Sequence, residues 1–113
     1  MTVNERIIEA LAPLGVPVAF HTYSGQETTY ITFFTYLDQP EQFADDRESV
    51  LGLYVQVDLW SPGDTTELAR QAHAALRTAG FRRKSTADLY EEELQVYHKA
   101  SRYLFEQPAD TLD

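Results

Sequence analysis

The chain has 113 residues, no cysteine and a formal net charge of −9, with 43% hydrophobic and 12% aromatic residues. This length predicts one domain with a single modest core, and the composition excludes an intrinsically disordered chain, a disulfide framework and a thiolate zinc site. The acidic balance argues against a protein that grips nucleic-acid phosphates. There is no signal-peptide pattern and no apolar run of membrane-spanning length, so we expect a protein used without export.

The strand predicted at residues 51–60 is the clearest element of the sequence. All its odd positions are apolar and its even positions are mixed, which predicts one sealed face and one partly open face. The Ser-Pro-Gly sequence at 61–63 then predicts a tight turn. Asp64 follows as the predicted N-cap of a helix, and Glu67 completes a capping-box pattern.

Around this strand, hydrophobic periodicity predicts two helices and four further strands. The strands at 18–23 and 30–37 are expected to pair antiparallel across a turn. The order α-β-β-β-α-β-β predicts an α+β fold, a two-layer sandwich with two helices packed on one face of a mainly antiparallel sheet. We expect one domain over residues 1–106 and a flexible tail over 107–113. The predicted elements are a helix from Val3 to Leu14 capped by Asn4 or Thr2, strands at 18–23, 30–37 and 51–60, a helix at 65–79 closed by Gly80, and strands at 81–85 and 94–105.

Two polar segments interrupt this pattern. In residues 38–48, Pro40 and several charged residues surround only Phe43 and Ala44, and the segment is longer than a hairpin needs. It is either a disordered loop or an arm whose Phe43 docks on a partner. Residues 86–93 are predicted to form a second, acidic excursion from the sheet.

Charge is distributed unevenly along the chain. Residues 1–67 carry eleven acidic and two basic residues, residues 68–84 carry five basic and no acidic ones, and residues 85–113 carry seven acidic and two basic ones. These segments are either ordinary solvated faces or complementary patches through which one copy of the chain meets another.

Four aromatic residues fall on or near strand faces that a monomer need not bury. They form either a secondary core or anchors for a subunit contact. The four are Tyr54, Trp60, Tyr97 and Tyr103. Together with the charge pattern, they give these candidate interface residues: Phe43, Asp45, Asp46, Trp60, Arg70, Arg77, Arg82, Arg83 and Lys84.

The sequence predicts no catalytic, cofactor-binding or metal site. His21, His73 and His98 are far apart, and none has a second ligand two residues along a strand or four along a helix. The acidic runs at 45–46 and 91–93 fall in predicted exposed loops, where nothing separates two carboxyl pKa values as acid–base catalysis requires. There is no Gly-x-Ser-x-Gly elbow and no glycine-rich phosphate loop. We therefore expect no enzyme activity and no cofactor.

Several stretches match a known family in order and type. They are the N-terminal helix, the strand Tyr54-Val55-Gln56-Val57-Asp58-Leu59-Trp60-Ser61, the alanine-rich helix closing at Ala79-Gly80-Phe81, and the segments at 88–92 and 97–103. Over most of residues 3–106 the chain resembles the small tail-completion proteins of long-tailed bacteriophages and prophages, which act as tail terminators or in head–tail joining.

The resemblance implies a structural protein of the virion with no enzymatic role. Such proteins form a homo-oligomeric ring, commonly of six subunits, at the head-proximal end of the tail, where they stop tube growth and join the head. The implied partners are other copies of the chain, the tail-tube protein and the head connector, with no membrane involved. DNA would pass through the ring without specific binding, since a net acidic ring lets the duplex slide. The implied location is the virion tail, and the host cytoplasm before assembly.

Two alternatives remain at this point. The first is a head-closure or adaptor protein on the connector side of the same joint. The second is a small-molecule-binding α+β domain, with a pocket between the helices and the sheet around Tyr30, Phe34 and His98.

Overall fold

The computed structural model describes residues 1–44 and 47–109, with side chains outside 42–49. Within these residues the chain forms two α-helices and a five-stranded, mostly antiparallel sheet, so the predicted α+β class is confirmed. The strands lie in the order β1-β2-β3-β5-β4. The elements are α1 (Val3–Leu11), a 3-10 turn (Ala12–Leu14), β1 (Val18–Phe20), β2 (Tyr30–Ala44), β3 (Arg47–Ser61), α2 (Thr66–Thr78), β4 (Arg82–Glu91) and β5 (Val96–Pro108).

Helix α1 begins with a capping box formed by Thr2 and Glu5. The Thr2 hydroxyl accepts the Glu5 backbone N–H at 3.1 Å, and the Glu5 carboxylate accepts the Thr2 backbone N–H at 2.9 Å. Two backbone donors that the helix leaves unpaired are thereby satisfied. Of the two predicted caps, the structure selects Thr2.

Helix α2 begins differently from the prediction and ends as predicted. Its N-cap is Thr65, and the Asp64 carboxylate accepts the Thr66 N–H at 2.9 Å, so the predicted capping box from Asp64 to Glu67 does not form. At the other end Gly80 adopts φ +103°, and the Phe81 N–H donates to the Leu76 carbonyl at 2.9 Å. This is the predicted Schellman ending, with the glycine in the left-handed conformation that it favours.

One cluster of buried hydrophobic side chains joins α1 and α2 to residues on one face of the sheet, which we call the helix-covered face. The odd positions of β3 from Leu53 to Leu59 are buried there, as the alternation predicts. The opposite side is called the helix-free face. The largest fully buried side chains of the core are Ile7, Leu11, Ile31, Phe33, Val55, Leu76 and Phe81.

The predicted antiparallel pairing of the first two strands is wrong. β1 pairs with β2 in parallel, with Val18 opposite Ile31 and Phe20 opposite Phe33. A tight turn joins only antiparallel strands. Instead, His21 at φ +70° follows the last residue of β1, and residues 21–29 return the chain to the end at which β1 began.

The predicted polar connection at 38–48 is also wrong, because β2 and β3 form one long hairpin. Cross-strand pairing continues through Asp38–Leu53 and Pro40–Leu51, with register shifts on either side. Beyond the stretch paired with β1, the described strands leave the outer side of β2 unpaired, and an edge strand tolerates proline because it needs no N–H donor there. The predicted interface residues Asp45 and Asp46 lie outside the described residues, and so does the side chain of Phe43.

The extents of the last two strands differ from the prediction. The predicted excursion at 86–93 is mostly strand, since β4 pairs with β5 from Arg82 to Glu91. Its side chains are almost all exposed, so an edge strand of this kind carries no hydrophobic alternation to reveal it. β5 continues through Pro108, two residues past the predicted domain boundary, and residues 110–113 of the predicted tail lie outside the described residues.

Candidate functional site on the helix-free face

A buried histidine–aspartate pair lies on the helix-free face, near the end of the sheet where β3 finishes and β5 begins. The Nε2 atom of His98 is 2.7 Å from the Oδ1 atom of Asp58, and the two side chains are 11% and 6% exposed. The other ring nitrogen, Nδ1, is buried without a hydrogen bond, 3.5 Å from the carboxylate of Glu91. Each ring nitrogen of His98 therefore faces one carboxylate, Nε2 that of Asp58 and Nδ1 that of Glu91.

Trp60 covers the imidazole from one side. The two rings are stacked with centroids 3.7 Å apart and planes inclined by 12°. The indole Nε1–H donates to the Thr32 hydroxyl at 3.0 Å, and Tyr30 stacks against the indole at 6.2 Å. The predicted interface residue Trp60 is therefore half-buried within its own chain, where it shields the pair from water.

Strand register brings these residues together. Trp60 of β3 lies directly opposite His98 of β5, and Leu89 of β4 lies opposite His98 from the other side. Side chains at directly opposed positions of antiparallel strands share a face and touch. Sequence analysis missed the pair because Asp58 and His98 are 40 residues apart. The alternation of β3 and β5 placed each residue on a face but did not align the two strands.

A polar network extends from the pair along the same face. The Gln56 amide donates to the Asp58 carboxylate at 2.9 Å, and Arg102 donates through Nε to the Gln56 oxygen at 3.3 Å. The Arg102 guanidinium lies 4.7 Å from the Tyr36 ring centroid, in cation–π geometry. Asp58 thus accepts hydrogen bonds from two side chains, His98 and Gln56, and holds both in place.

The predicted basic segment does not form a single patch. Arg82 lies opposite Leu104 and is 3.5 Å from Glu106, whereas Arg83 lies opposite Tyr103 on the helix-covered face. Successive strand residues point to opposite faces, so the two arginines separate. Lys84 occupies the register shift that follows Arg83.

The remaining charged candidates lie on α2. Arg70 is exposed and forms a salt bridge with Glu67, one turn earlier, and this contact lowers the pKa of the Glu67 carboxyl. Arg77 is exposed near the C-terminal end of α2. Burial lowers the pKa of His73 below its ordinary value, and the charges of Arg83 and Arg77 lower it further. The basic residues of 68–84 are therefore shared between α2 and both faces of β4.

The other aromatic candidates have different environments. Tyr103 is buried beneath α2 with its hydroxyl 3.1 Å from Nδ1 of His73, so of its two alternatives it belongs to the core and is not an anchor. Tyr54 donates to the Glu41 carboxylate at 2.6 Å. Tyr97 is 49% exposed and packs on Tyr90 near the turn between β4 and β5. Leu89, Tyr90, Leu94 and Tyr97 are all exposed around that turn, with Leu89 and Tyr90 on opposite faces of β4.

The pocket expected between the helices and the sheet around Tyr30, Phe34 and His98 does not form there. All three residues lie on the helix-free face, where Phe34 stacks on His21 and Tyr30 on Trp60. Among the described residues, no group of three or more His, Cys, Asp or Glu side chains is arranged to hold a metal ion. No helix in this part of the chain is both long and apolar enough to cross a bilayer.

Comparison with known proteins does not assign the chain to a family. No protein-family model matches the chain, and no curated protein matches its sequence.

Proposed function

We propose that the chain is a structural protein of a phage virion, a tail-completion protein whose copies form a ring at the head-proximal end of the tail. In this proposal the chain is a two-layer α+β sandwich, with the helix-free face and the sheet edges available to other subunits. The tail-tube protein lies on one side of the ring and the head connector on the other. The ring itself has no enzymatic role.

The two open edges of the sheet supply the observation that carries the proposal. Beyond the residues paired with β1, the described strands leave the outer side of β2 free, and the outer side of β4 is free along its length. An unpaired edge is a template for a strand of another chain. Because the two edges differ, contacts between them are head-to-tail, and such contacts close into a ring when the rotation permits.

Charge at the two edges is complementary at the same height along the sheet. Arg82 of β4 pairs with Leu104, which pairs with Tyr54 of β3. Tyr54 in turn pairs with Leu37 of β2. The basic start of β4 is therefore level with the part of β2 that carries Asp38 and Glu41. Opposite charges at equal height favour one register when copies add edge to edge.

The length of the hairpin supports the same proposal. The described residues extend over 52 × 24 × 24 Å, and β2 and β3 have fifteen residues each. At about 3.3 Å per residue, strands of this length span nearly the whole long axis. α1 and α2 have only nine and thirteen residues, and so they cover only part of the sheet. The uncovered part of the hairpin gives a subunit a means of reaching its neighbours.

A charge-swap experiment tests the proposal. Purified protein is mixed with phage tail tubes, and capped tube ends are counted by electron microscopy, with ring size measured by analytical ultracentrifugation. The variant Arg82→Glu with Lys84→Glu should lose ring formation and tube capping. Adding Glu41→Lys, on the same face as Arg82, to that variant should restore part of both, and wild-type rings should weaken with salt.

The matched control is Arg70→Glu with Arg77→Glu, which reverses two charges on the exposed surface of α2 and should leave capping unchanged. If wild-type protein forms no ring with tail tubes present, the tail-completion proposal is wrong. If rings form and the charge reversals have no effect, the edge contact is wrong while the function stands.

A further inference from the structure

A cavity lies on the helix-covered side of the sheet, between α2 and the strands β3, β4 and β5. Its volume is about 320 Å³. Its apolar wall comes from α2 and β3, and includes Ala69, Ala72 and Leu59. Its polar lining includes Arg70, His73, Arg83 and Lys99.

The positive charge around this cavity exceeds the negative charge. Arg70 is paired with Glu67, and Lys99 lies 2.7 Å from Asp88. Arg83 forms no ion pair or side-chain hydrogen bond with any residue of the described ranges. A protein with a net charge of −9 thus places a free guanidinium at the mouth of a partly apolar cavity.

Neutral donors lie deeper in the cavity. Burial raises the pKa of Tyr103 to about 12, so its hydroxyl remains protonated at neutral pH. Burial and the charges of Arg83 and Arg77 lower the pKa of His73. These two side chains are linked to each other at 3.1 Å. The cavity therefore offers hydrogen-bonding groups beneath a cationic rim, and none of its lining residues is acidic.

We propose that this cavity is a binding site for a small organic anion, an apolar body carrying a carboxylate or phosphate head group. The apolar wall would hold the body, and the Arg83 guanidinium and Lys99 ammonium would hold the head through charge-assisted hydrogen bonds. This inference does not depend on the proposed role in the virion.

The test uses phenyl phosphate and benzoate as anionic probes and benzamide as the neutral probe of similar shape. Binding to the full chain is followed by isothermal titration calorimetry and by backbone amide shifts. Both anions should bind at one site per chain and shift amides of α2 and β5, and their ranking identifies the preferred head group. Benzamide should bind about tenfold more weakly, because it lacks the charge that the rim pairs with.

Adjacent arginines supply a matched pair of variants. Arg83→Gln should lower the affinity for the anions about five- to tenfold. Arg82 points to the opposite face, so Arg82→Gln should change this affinity by less than about twofold. Ala69→Phe should block the apolar wall while keeping every charge. Equal effects of the two arginine variants, equal binding of benzamide, or no saturable binding of either anion would each overturn the proposal.

Discussion

The imidazole of His98 lies flat on the indole of Trp60, with ring centroids 3.7 Å apart, and its Nε2 atom is 2.7 Å from the Asp58 carboxylate. The residues come from two strands that only the tertiary fold aligns. The result is a buried hydrogen-bonded pair on the helix-free face, near the end of the sheet where β3 finishes and β5 begins. The pair holds neighbouring polar side chains of this face in place, and the coupling energy between Asp58 and His98 can be measured.

We expect the Asp58–His98 pair to be strongly coupled. Removing either member leaves a buried polar group without its partner, so Asp58→Asn and His98→Gln should each lower the free energy of unfolding by about 2–4 kcal/mol. In a double-mutant cycle measured by urea denaturation, the coupling energy should exceed roughly 1 kcal/mol. Lys99 and Asp88 form the control pair, since Asp88 is 78% exposed. Their coupling should stay below about 0.5 kcal/mol, and equal coupling of the two pairs would contradict the prediction.

The lowered pKa of His73 predicts a loss of stability in acid. Burial and the positive charges of Arg83 and Arg77 disfavour its protonated form in the folded state, so the unfolded state binds the proton first as the pH falls below 6.5. Stability should therefore be retained above pH 6.5 and decrease as the pH falls from there toward the lower pKa of the folded state. His73→Gln removes this contribution. The urea midpoint should change less between about pH 7.5 and pH 5.5 in His73→Gln than in the wild type, and identical changes would rule the prediction out.

The end of α2 should be sensitive to substitution at Gly80. This residue has φ +103°, and a Cβ atom there would lie 3.2 Å from the Phe105 ring. Gly80→Ala should lower the free energy of unfolding by about 1–3 kcal/mol, through both strain and contact. At Gly63 a Cβ atom meets nothing within 4 Å, so Gly63→Ala should change stability by less than about 1 kcal/mol. Thermal denaturation of both variants compares them directly, and a larger loss for Gly63→Ala would refute the assignment.

The hydrogen bond from Tyr54 to Glu41 should be visible in the titration of the carboxylate. This bond is the largest cause of the lowered pKa of Glu41, followed by the bond from Gln39. Tyr54→Phe should raise the pKa of Glu41 toward its ordinary value of 4.5, as measured by carboxyl carbon NMR shifts. Tyr36→Phe is the control, because Tyr36 packs near Tyr54 without bonding Glu41. An unchanged titration in Tyr54→Phe would mean that the bond is absent in solution.

Sequence patterns predicted the elements that pack on the core, such as strand β3 and helix α2. The alternation in β3 reflects burial of one of its faces, and Gly80 at the end of α2 meets a local backbone requirement. Both could therefore be predicted without knowing which other elements they pack against. The two strand edges were poorly predicted. β4 is exposed along almost its whole length, and the outer part of β2 holds Pro40 and charged residues, so neither carries the hydrophobic signal of a buried strand.

The sequence by itself determined the α+β class, the central strand, the helix-ending motif and the separation of acidic from basic segments. These features depend on composition, on local periodicity or on single backbone positions. The tertiary structure alone decided the parallel pairing of β1, the extent of the β2–β3 hairpin, the burial of Asp58 with His98 and the placing of Arg82 and Arg83 on opposite faces. Each of these depends on the register between strands distant in the chain, and register is set by packing across the whole sheet.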